Sequence, residues 1–173
     1  GIVNNGIIDS DGVAIRVEQF SIDPNTLDGD YELGAGAGNG FLRIEQNAGL
    51  IRGQTAAIQG NEFTDLIWNG GAIEGKIYGL GEAKVTGANS IAEFYGDVIE
   101  VQEEVEILSG GQLNFNSPHS YIMKSDHAVQ NGWDDQYTGG NLLVATGGTL
   151  GLPLSAATDA TRPILFVEGT ATF

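Results

Sequence analysis

Residues 97–115 read DVIEVQEEVEILSGGQLNF, and their alternation decides the fold class. Ile99, Val101, Val105 and Ile107 are apolar, whereas Glu100, Gln102, Glu104 and Glu106 between them are polar. Period-2 alternation describes a strand with one buried and one wet face. Val98, Val101, Val105 and Leu108 also sit at helical spacing. A helix would leave Ile99 and Ile107 on its polar side and would have to tolerate a run of β-branched residues. A strand over this stretch is therefore expected. Ser109-Gly110-Gly111 then turns the chain, and Leu113 and Phe115 resume the alternation.

Working outward, the chain from Asp30 divides after small turn residues into Asp30–Gly49, Leu50–Gly71, Ala72–Ser90, Ile91–Gly111 and Gln112–Gly132. These segments are 19 to 22 residues long and contain or open with YEL, LIRG, AIEG, IAEF and QLNF. The unit Gly-Gly-x-Ile/Leu occurs at Gly70, Gly110, Gly139 and Gly147. A unit of about 20 residues with short strands and glycine turns suits one coil of a parallel β-solenoid. The expectation is an all-β fold, with a parallel β-solenoid preferred to an antiparallel sandwich or jelly roll, whose strands recur about every 8–12 residues.

A single β domain over 1–173 is expected, with an N-terminal strand and loop (1–29), a repeat-like core (30–132) and a less regular C-terminal part (133–173). In the first part Val13, Ile15 and Val17 face inward against Arg16 and Glu18. Gly34–Gly40, GAGAGNG, reads as a flexible crossing or a place where another backbone comes close. The tail Ile164–Phe173 alternates through Leu165, Val167, Ala171 and Phe173. A hydrophobic strand there needs a sheet to cover it, in its own domain or in a neighbouring subunit; the second placement is preferred, with Ile164, Phe166, Val167 and Phe173 as assembly residues.

Composition narrows the functional classes. With 23 acidic against 7 basic residues the net charge is −16, a surface that repels nucleic acid and anionic membranes. The absence of cysteine excludes disulfides, zinc–thiolate sites and thiol catalysis. No apolar run reaches membrane-spanning length, so membrane insertion is not expected. The chain opens on Gly1 with no visible signal peptide, which suits a processed N-terminus.

Candidate chemistry is sparse. Asp23, Asn25, Asp28 and Asp30 crowd oxygen ligands around Gly29, as Ca²⁺ prefers, but an ordinary turn is the preferred reading and no cofactor is expected. Asp9, Asp11 and Gly12 form a second such fragment. His119 and His127, with Asp126 and Ser117, Ser120 and Ser125 nearby, lack a nucleophile elbow and read as exposed loop histidines. Asp65, Glu74, Glu93 and Asp97 could supply carboxylates for acid–base work on a sugar. Trp68, Tyr121, Trp133 and Tyr137 could form a glycan platform, and serve as readily as core or interface anchors.

The expected function is that of a non-enzymatic structural protein that assembles on a surface. A virion decoration or fibre component, or a bacterial surface-layer or filament subunit, fits best. It would work as a homo-oligomer or larger assembly, in an extracellular or virion-surface setting. The alternative is a module that binds or cleaves carbohydrate.

Overall fold

A computed structural model describes residues 1–17, 42–61, 63–87, 90–125, 139–154 and 161–173. Its strands follow one another in coils of three. The first coil holds β1 (Ile2–Asn4), β2 (Ile7–Ser10) and β3 (Val13–Arg16); the second holds β4 (Leu42–Gln46), β5 (Leu50–Gly53) and β6 (Ala56–Gln59). The third holds β7 (Thr64–Trp68), β8 (Gly71–Glu74) and β9 (Ile77–Leu80), and the fourth β10 (Ala83–Val85), β11 (Ser90–Phe94) and β12 (Val98–Val101). The fifth holds β13 (Glu104–Ile107), β14 (Gly111–Phe115) and β15 (Ser120–Lys124). The sixth holds β16 (Asn141–Val144), β17 (Thr149–Gly151) and β18 (Leu165–Val167), after which β19 (Ala171–Thr172) opens a seventh.

Each coil adds one strand to each of three parallel sheets. Sheet A runs β1-β4-β7-β10-β13-β16-β19, sheet B β2-β5-β8-β11-β14-β17 and sheet C β3-β6-β9-β12-β15-β18. The protein is a three-sided parallel β-solenoid, and no helix occurs among the described residues.

Alternation places the core. Inward residues stack in columns along the solenoid: Ile44, Leu66, Ala83, Val105 and Leu142 from sheet A, and Ile58, Ile77, Ile99 and Ile122 from sheet C. Sheet B contributes Ile51, Ile73, Phe94 and Phe115. The rings of Trp68 and Phe94 meet edge to face at 6.3 Å, and those of Phe94 and Phe115 at 5.8 Å. Burying each such side chain contributes about 1.5–3 kcal/mol, so these columns supply much of the stability of the fold. Near the first coil the interior is polar instead: Asn4 Nδ2 donates to Gln46 Oε1 at 2.7 Å, which satisfies two buried amides against each other.

The stretch read as one strand is two. β12 lies in sheet C and β13 in sheet A, with Gln102-Glu103 turning the corner between them. A corner of two residues preserves parity, so alternation passes through it unbroken and hides it.

The 20-residue division locates a real corner. The cuts at Leu50, Ala72, Ile91 and Gln112 fall at or one residue after the first residue of β5, β8, β11 and β14, where the chain passes from sheet A to sheet B. Coils approach so closely there that side chains are excluded. A Cβ on Gly49, whose φ is +74°, would lie 1.9 Å from the carbonyl oxygen of Gly6. Three of the Gly-Gly-x-Ile/Leu units, at Gly70, Gly110 and Gly147, mark this corner; the fourth, at Gly139, marks the C-to-A corner before β16. In each, the Ile or Leu faces inward, as Ile73, Leu113, Leu142 and Leu150.

The final segment, Gln112–Gly132, does not close a coil. The register partner of Gln112 is Thr149, 37 positions on rather than about 20. Of the two placements open to the tail, its own domain is the one seen. Residues 164–173 form two short strands that pair inside their own chain, β18 with β15 and β19 with β16. Parallel coiling supplies the ladder partner that a donated strand would otherwise find in a neighbour.

Candidate functional site

The outer face of sheet B carries an ordered polar array. In β11, Ala92 and Phe94 point inward, so Ile91, Glu93 and the following Tyr95 point outward. Parallel pairing sets Glu93 beside Asn114 of β14, and Ile91 beside Gln112. The Glu93 carboxylate accepts from Asn114 Nδ2 at 2.8 Å and from Asn116 Nδ2 at 2.7 Å, one amide on each oxygen. Gln112 Nε2 donates in turn to Asn114 Oδ1 at 2.8 Å. Two charge-assisted bonds fix the Glu93 carboxylate in one orientation. Tyr95 stands beside this ladder 54% exposed, and its backbone N–H bonds the Ile73 carbonyl. Gly151 of β17, in register with Asn114, continues the column with no side chain of its own.

The outer face of sheet A is acidic. Lys84 bonds Glu82 at 2.7 Å and lies 3.9 Å from Glu106, and these carboxylates hold its ammonium above the ordinary lysine range. Burial, then the charge of Glu82, pushes the Asp65 carboxyl up; burial, then Glu106, does the same for Glu104. A carboxyl with a raised native pKa binds its proton more tightly folded than unfolded. The resulting penalty is full above the folded pKa and is relieved as pH falls through it. Thermal melts should therefore show stability rising as pH is lowered from neutral toward the upper end of the carboxylate range, and Glu104→Gln should flatten that rise. A monotonic loss of stability over the same interval would contradict the placement of these groups. The exposed Asp9 works in the opposite sense: Arg52 holds its carboxyl below the usual range, so its contribution is lost only at more acidic pH.

The candidates named from sequence are dispersed. Trp68 is a core residue, 1% exposed, with Nε1 donating to the Gly71 carbonyl at 3.3 Å, so it touches neither glycan nor partner. Tyr121 does face outward, on sheet C, but its own chain packs it: the Phe166 ring lies 6.2 Å away and Arg162 Nη2 donates to its hydroxyl at 2.6 Å. Trp133 and Tyr137 lie outside the described residues, as do Asp23, Asn25, Asp28, Asp30, His127, Asp126 and the GAGAGNG stretch. Val167 points inward beneath Ile122, Phe166 points outward, Ile164 offers its carbonyl to Ser120 N–H, and Phe173 is 81% exposed.

His119 is buried rather than exposed, its Nδ1 lying 2.9 Å from the Pro163 carbonyl oxygen. Asp65 lies on sheet A, Glu74 and Glu93 on sheet B and Asp97 at the corner before β12, so the structure does not gather them as a catalytic set. In the Asp9–Gly12 fragment, Asp9 is paired with Arg52, and Asp11 accepts from Gln54 Nε2 at 3.1 Å. Among the described residues, no group of three or more His, Cys, Asp or Glu could hold a metal ion. Among the described residues no helix is long and apolar enough to cross a membrane. Comparisons of the chain with protein-family models, with curated proteins and with solved structures gave no match.

Proposed function

We propose that this protein is a structural β-solenoid that assembles on a surface, as a virion decoration or fibre component or as a subunit of a bacterial surface layer or filament, and that it carries no active site of its own. The observation that supports this reading is the distribution of exposed apolar side chains. Of the nine large hydrophobic residues that stand exposed among the described residues, Val3 and Ile7 belong to the first coil, and Leu152, Leu154, Phe166 and Phe173 belong to the last two. The partly buried Ile2, Ile8, Val144, Leu150, Leu165 and Val167, which complete the core, fall in the same end coils. The outer edges of β1–β3 and of β17–β19 have no strand partner among the described residues. Unpaired strand edges backed by apolar side chains are templates for another rung. Contacts between unlike ends of a solenoid propagate into a filament or fibre.

Size-exclusion chromatography with light scattering tests the reading. Oligomers that grow with concentration are expected, and the pair Val3→Glu and Phe166→Glu should dissolve them while leaving the β spectrum intact. A monomer at every concentration overturns the proposal.

A further inference from the structure

We infer that the outer face of sheet B binds a neutral glycan along the Glu93–Asn114 ladder, with Tyr95 as its stacking residue. This inference does not rest on the assembly reading, because the ladder lies in the fourth and fifth coils, away from the end edges.

The chemistry on this face points to hydroxyl groups. Amides provide donors and acceptors side by side, and a carboxylate accepts from adjacent hydroxyls. Within the ladder the Asn114 carbonyl oxygen is used by Gln112, whereas the carbonyl oxygens of Gln112 and Asn116 are not used by it. Tyr95 adds an exposed ring on the Asn116 side, and Ile91 an exposed aliphatic side chain on the Gln112 side. An aromatic face beside fixed hydrogen-bonding groups suits a sugar ring, whose C–H face is apolar and whose rim is polar.

Charge selects the neutral member of the class. The Glu93 side chain lies between two uncharged amides, and Arg52 of β5 on the same sheet is engaged by Asp9. With a net charge of −16, the chain repels uronic acids and sulfated or phosphorylated sugars. Preorganisation adds to the case. The Glu93, Asn114 and Asn116 side chains already hold one another, so a ligand need not order them.

The test is binding of the full chain to an array of neutral and acidic oligosaccharides, followed by titration with the strongest neutral hit and with a polygalacturonate oligomer. The expected outcome is binding of a neutral glycan, weakened about tenfold or more by Tyr95→Ala and by Asn116→Ala, and unchanged by Tyr121→Ala on sheet C. Both site variants alter exposed side chains, and thermal melts check that they remain folded. The inference is overturned if no neutral glycan binds, if acidic glycans bind equally well, or if Tyr95→Ala and Asn116→Ala bind as the parent chain does.

Discussion

Val105→Asp should leave no cooperatively folded protein, whereas Glu104→Lys, one residue away, should shift stability by no more than about 0.5 kcal/mol. Val105 is 1% exposed and sits in the sheet A column between Ala83 and Leu142. An aspartate there has neither water nor a cation to meet. The cost of several kcal/mol is comparable with the whole stability of a domain, about 5–15 kcal/mol. Glu104 points the other way, among Glu103, Glu106 and Glu82, whose charges already oppose its own. A lysine in that place exchanges repulsion for attraction and loses no packing. Equilibrium urea unfolding of the two variants measures both effects, and equal losses would mean that the face assignment is wrong.

Trp68→Ala should cost about 3–5 kcal/mol, the range for deleting a large buried ring. The indole fills the interior between sheets A and B, meets Phe94 edge to face and donates its N–H to Gly71 at the A-to-B corner. Truncation removes packing from a column of rings that continues to Phe115, and it removes the indole hydrogen bond to the Gly71 carbonyl. Trp68→Phe restores part of the volume and should recover part of the loss. The same unfolding measurement decides: a loss below about 1 kcal/mol would place the ring on the surface, where a glycan platform would need it.

Much of the fold was legible because a solenoid repeats its local instructions. Alternation over Asp97–Phe115 named the inward residues Ile99, Val101, Val105, Ile107, Leu113 and Phe115, all of which are buried. The Gly-Gly units marked corners where carbonyl groups of the neighbouring coil exclude a Cβ. What stayed hidden has physical causes. The corner at Gln102-Glu103 keeps parity and leaves no signal in the pattern. The period itself breaks where coils carry extra chain: Val105 pairs with Leu142 and Ile2 with Ile44, far beyond one coil length.

Sequence left Trp68 open between platform and core because Ile67 beside it is also apolar, which blurs the alternation that assigns Leu66 and Trp68 to the interior. The sheet B ladder joins residues 21 and 23 positions apart, a relation that exists only once the register is known. Laying IAEF over QLNF, one coil above the next, does superpose Glu93 on Asn114, and that was the available signal.

The central claim is the parallel, in-register stacking of coils, and engineered disulfide trapping tests it most directly because the chain has no cysteine of its own. Glu45 and Ile67 are register partners on the outer face of sheet A, as are Lys84 and Glu106. Neighbouring parallel strands place such Cα atoms about 4.8 Å apart, inside the window of about 4.4–6.8 Å that a disulfide spans. Glu45 and Lys84 lie in the same column two rungs apart, about 9.6 Å and beyond reach. Under mild oxidation, the pair Glu45→Cys with Ile67→Cys and the pair Lys84→Cys with Glu106→Cys should close in the folded protein, and the pair Glu45→Cys with Lys84→Cys should remain reduced. Closure of that last pair, or failure of the first two, would contradict the solenoid.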